Sequence, residues 1–77
     1  MRREEQILII VNDEYYYKAA VRAAEKVRKR RSMTRSQKVD LGGRLLAADL
    51  GSPFTIVACK EVMDFILDDE TASFSDI

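Results

Sequence analysis

Five consecutive aliphatic residues, Ile7 to Val11, stand between polar neighbours in "QILIIVND", and they set the strongest limit on how the chain can fold. The run is short, rich in β-branched side chains and bounded by Asn12 and Asp13, so it reads as a β-strand. Alternation places Ile7, Ile9 and Val11 on one face and Gln6, Leu8 and Ile10 on the other, so both faces need cover. A lone strand leaves its backbone donors and acceptors unpaired. The expected partner is therefore the same strand, Ile7, Leu8, Ile9, Ile10 and Val11, of a second chain. A helical continuation into "DEYYY" is the structural alternative.

The remainder of the chain carries helical signals. Asn12 or Asp13 can cap a helix with Glu14 in its first turn and Arg28 to Arg31 at its end, which suits the macrodipole at both termini. Its apolar stripe, Tyr16, Ala20, Ala23, Ala24 and Val27, is mostly small and permits close approach of a neighbour. Three successive tyrosines sweep about 200° of a helix, so they cannot all face one core. Thr34 and Gln37 have capping-box spacing and open a second helix. Val39, Leu45, Leu46, Ala48 and Leu50 form its apolar side, and Gly42 and Gly43 let a neighbouring backbone come near. Gly51 ends it, and Ser52 and Pro53 read as cap and first residue of a third helix through "FTIVACKEVMDFILDD". The expected architecture is mainly α: one short N-terminal β-strand followed by three helices, with the strand paired across a homodimer. Residues 1–70 make one small domain and 71–77 a mobile tail.

With 77 residues such a domain buries only about 60% of the surface its unfolded chain exposes, so self-association would help it. Histidine is absent and Cys59 is the sole cysteine, which removes the commonest general base, the commonest metal ligand and any internal disulfide. The apolar neighbours of Cys59 in "IVACKEV" make it a small core residue. No glycine-rich phosphate loop and no paired catalytic carboxylates are present, so neither an enzyme nor a cofactor is expected. No apolar run approaches the roughly 20 residues needed to span a bilayer, and "MRREEQ" is too polar to open a secretory signal. A cytoplasmic protein without a membrane partner is expected.

Basic and acidic residues balance at thirteen each, but they are unevenly placed. Residues 18 to 44 hold ten basic and two acidic side chains, while residues 45 to 77 hold one basic and seven acidic. The basic tract Arg28, Lys29, Arg30 and Arg31 with Arg35 is a candidate patch for phosphate or an acidic partner, such as the C-terminal third of another copy, or else a solvated helix end.

The stretch "GRLLAADLGSPFTIVACKEV", residues 43 to 62, resembles a helix-turn-helix. Ala47, Gly51 and Val57 supply the small residue, the turn glycine and the buried aliphatic that the motif wants. The tip of the second helix, Pro53, Phe54, Thr55 and Ile56, is however poor in groups that read bases, and Asp64, Asp68 and Asp69 would repel phosphate. From Gln6 to Leu50 the chain also resembles ribbon-helix-helix repressors in order of elements. That resemblance would make Gln6, Leu8 and Ile10 the base-reading residues, and two of them cannot hydrogen-bond. The favoured function is a non-catalytic, self-associating protein-interaction module, an adaptor or regulator. Its partner would lie on the broad apolar face of Phe54, Ala58, Val62, Phe65 and Ile66. A small dimeric nucleic-acid-binding regulator is the alternative, with weak or absent binding to DNA expected.

Overall fold

The computed structural model describes residues 1–69, which form four α-helices: α1 (Arg3–Asn12), α2 (Glu14–Arg28), α3 (Arg35–Leu50) and α4 (Ile56–Asp68). There is no strand among the described residues, so the expected N-terminal strand and its pairing across a dimer are overturned. Ile7, Leu8, Ile9, Ile10 and Val11 all lie in α1. The reason is the bookkeeping of backbone polar groups: a helix satisfies its own donors and acceptors, whereas the lone strand needs a second chain. Helical spacing also sorts the run. Gln6 and Ile10, four apart, are buried, Ile7 and Val11 are half-buried beside them, and Leu8 is exposed. Glu4 and Glu5 sit in the first turn, where the macrodipole favours them.

One residue separates α1 from α2. The Asp13 amide donates to the Ile9 carbonyl at 3.0 Å and closes α1. Its carboxylate Oδ1 accepts from the amides of Tyr15 at 2.9 Å and Tyr16 at 3.3 Å and opens α2. α3 starts at the capping box, with the Gln37 amide donating to Thr34 Oγ1 and the Thr34 amide to Gln37 Oε1. It stops at Gly51, whose φ of +75° is a left-handed backbone that a side chain disfavours. The start of α4 differs from expectation. Ser52 and Pro53 belong to the turn, joined by a cis peptide bond, and Thr55 is the cap, its Oγ1 accepting from the Ala58 amide at 3.2 Å.

α2 and α4 each pack against every other helix, while α1 and α3 flank them without touching each other. The core between them contains Ile10, Ala20, Ala24, Leu46, Cys59 and Met63, all fully buried. Small residues let the helices approach: Ala19, Ala20, Ala23 and Ala24 on α2, and on α3 Gly42 and Gly43, both buried. At Gly43 a Cβ would lie 2.9 Å from both the Cα and the amide nitrogen of Lys60, so α3 and α4 touch backbone to backbone there. The larger core side chains supply most of the apolar burial, at about 1.5–3 kcal/mol for one such as Ile10. The tail expected at 71–77 lies outside the described residues.

Candidate functional site

Three features merit a functional reading: the apolar face of α4, the groove between α1 and α4, and the basic tract after α2. The α4 face is largely spent inside the domain. Ala58, Val62 and Ile66 are fully buried. Phe54 is half-buried, its ring edge-on to Tyr16 at a centroid distance of 5.1 Å. Of the five residues expected to meet a partner, only Phe65 stands well clear, 57% exposed. Three helices, α1, α2 and α3, cover α4.

Phe65 borders a groove of about 570 Å³, lined also by Ile7 and Val11 from α1, Tyr17 from α2, and Glu61 and Val62 from α4. Its walls are apolar apart from Glu61, which pairs with Arg3 across the rim at 3.4 Å. Leu8 is 59% exposed and lies about 60° further round α1 than Val11 at 100° per residue. The sequence reading counted these α1 residues as a pairing strand and so missed the groove. Read at helical spacing, the i, i+4 pair Ile7 and Val11 would have been its only signal.

The basic tract divides in two. The Arg28 guanidinium donates to the carbonyls of Ile66 at 2.6 Å and Asp69 at 2.9 Å, closing the last turn of α4. Arg35 pairs with Asp64 and Asp68, each at 2.7 Å, and donates to the Asp64 carbonyl at 2.9 Å. The hydrogen bond to Asp64, with Asp68 beside it, raises the Arg35 guanidinium above its ordinary value. These contacts explain how α4 carries carboxylates at its negative end, where the macrodipole opposes them. The acidic C-terminal third thus meets the basic tract within one chain. Lys29, Arg30 and Arg31 are exposed in the connection and form no ion pair among the described residues.

The helix-turn-helix geometry fails at one of its three positions. Val57 is 55% exposed, and the buried aliphatic side of α4 begins at Ala58. Cys59 is fully buried, and burial pushes its thiol up from 9.0 to about 11, so it is inert as a nucleophile at neutral pH. Asp40 on α3 is held below the usual carboxylate range by hydrogen bonds from Arg44 and Lys60, and through Lys60 it ties α3 to α4. A wider depression beside it, lined by Met33, Val39 and Leu41 as well as Arg35, Asp40, Lys60 and Asp64, has its charges matched by these pairs. Among the described residues no group of three or more metal-ligating side chains comes together, and no helix is long and apolar enough to cross a membrane. Compared with protein-family models, curated proteins and solved structures, the chain matches none.

Proposed function

We propose that the chain is a non-catalytic interaction domain that associates with a second copy of itself through the α1–α4 groove, acting as an adaptor or regulator rather than transforming a substrate. The observation that carries this reading is Phe65, a large ring 57% exposed on the wall of an apolar groove. A protruding ring and a receiving groove on one face make that face self-complementary. Two copies related by a twofold axis can each seat Phe65 beside the other's Ile7 and Val11. Arg3 and Glu61, paired at the rim and about half exposed, can exchange partners across the axis at little cost. A domain of this size also gains from burying further apolar surface.

Sedimentation velocity over a concentration series tests the proposal. The wild-type chain is expected to pass from monomer to dimer, and Phe65→Glu to remain monomeric with unchanged helical circular dichroism. A wild-type chain still monomeric at about 1 mM, where an interface of about −4 kcal/mol would register, would refute it. So would a Phe65→Glu chain that dimerises as the wild type does.

A further inference from the structure

Eight of the thirteen lysines and arginines are engaged within the fold. Arg2, Arg3, Lys18, Arg22, Arg44 and Lys60 are each bridged to a carboxylate, and Arg28 and Arg35 are held by the end of α4. The five left over, Lys26, Lys29, Arg30, Arg31 and Lys38, are not scattered. All fall between residues 26 and 38, at the end of α2, in the connection and in the first turn of α3. Lys38 shares a small cleft with Arg28, Arg35 and Leu67, so this pole of the molecule is positive beside Arg35, whose charge Asp64 and Asp68 match. Among the described residues these five are the basic side chains with no carboxylate or carbonyl partner, and they lie in one place.

We infer that this pole binds the phosphate backbone of duplex nucleic acid, without reading its sequence. The composition of the patch selects that partner. Lys26, Lys29, Arg30, Arg31 and Ser32 are exposed, and the one apolar neighbour in the connection, Met33, is half-buried. A protein interface wants an apolar or aromatic centre inside its polar rim, and among the described residues this pole offers only Met33 and Leu67, both half-buried and neither aromatic. A single strand is held by aromatic platforms, yet the tyrosines lie at the opposite end of α2 and Phe65 lines the groove. An anionic membrane surface wants apolar side chains interleaved with the cations. Backbone phosphates need only positive charge held in register. Lys29, Arg30 and Arg31 follow one another in a connection fixed at both ends by helices, which supplies that register. The assignment is independent of the groove between α1 and α4.

Fluorescence anisotropy with a labelled DNA duplex of about 20 base pairs tests it. For three phosphates neutralised, log K is expected to fall with log salt at a slope of about −2.7, an affinity loss of about 40-fold between about 50 and about 200 mM. Replacing Arg30 and Arg31 together with alanine should reduce the slope by about 1.8, with the melting temperature unchanged. The charge-matched control, Arg2→Ala with Lys18→Ala, should leave the slope as it was, and a scrambled duplex should bind equally well. No binding at about 50 mM salt would overturn the inference, as would a control that weakens binding as much as the Arg30 and Arg31 pair. Tighter binding to the single strand, marked preference for one sequence, or binding to phosphatidylserine vesicles but not to duplex would overturn it equally.

Discussion

Gln6 is 3% exposed, and both ends of its amide are hydrogen-bonded. Oε1 accepts from the Thr55 amide at 2.8 Å and from Thr55 Oγ1 at 3.3 Å, while Nε2 donates to the Met1 carbonyl at 3.2 Å. Gln6→Leu should therefore destabilise the chain by about 1–3 kcal/mol in urea denaturation, because the Thr55 amide and hydroxyl lose their acceptor at a part-buried contact. An unchanged midpoint would show that the bond is dispensable. Cys59 permits a test by pH. An unfolded chain loses the thiol proton near 9.0 and the folded chain only near about 11. The folded state thus holds the extra proton across that interval, and stability falls as pH rises through it, by up to about 1.4 kcal/mol per unit. Cys59→Ala should remove that part of the alkaline decline while other groups keep theirs. The two residues differ in how far sequence reveals them. Cys59 betrays its burial through its immediate neighbours in "IVACKEV", whereas the partner of Gln6 is 49 residues away, and no local pattern marks a glutamine for the core.

Among the helices, α3 and α4 share the most extensive contact, and the adjacent glycines grade how near they come. A Cβ at Gly42 would meet the Met63 side chain, Sδ at 2.8 Å and Cγ at 2.9 Å, which can swing aside. At Gly43 it would meet the Lys60 backbone, which cannot. Either alanine gains about 1 kcal/mol of helix propensity, so Gly42→Ala should be near neutral. Gly43→Ala should be destabilising by about 1–3 kcal/mol through overpacking, with the denaturation midpoints checking the order. Locally encoded boundaries were legible: the Thr34 and Gln37 box and the Gly51 stop act within their own turns. The identity of α1 was not. Ile7 to Val11 is apolar at every position, so its pattern fits a period of 2 as well as one of 3.6. The choice is made by α2 and α4, against which Gln6 and Ile10 pack. Thr55 took the cap expected of Ser52 for a similar reason, since Gln6 reaches its amide and hydroxyl from another helix.

For the molecule as a whole, α1 counts as a helix because it supplies part of the surface that covers α4. The apparent surplus on Ala58, Val62 and Ile66 is the surface that α1, α2 and α3 bury between them. The charge partition was visible in sequence, but its consumption was not, since pairing Arg35 with Asp64 requires the helices to be docked. The geometry of the bond between Gln6 and Thr55 also bears on the order of assembly. It joins the first helix to the threshold of the last and closes a loop of 49 residues, and such long-range contacts form late and open early. Native-state hydrogen exchange should show the α1 amides opening at a lower free energy than those of α2 and α3; equal or greater protection of α1 would refute this. During synthesis the imbalance is one of time. At about 5–20 residues per second, the ribosome needs about 2–10 seconds to pass from Gln6 to Thr55. Through that interval α4, one of the two helices that seat α1, does not yet exist, so the most apolar run in the chain has only α2 for cover.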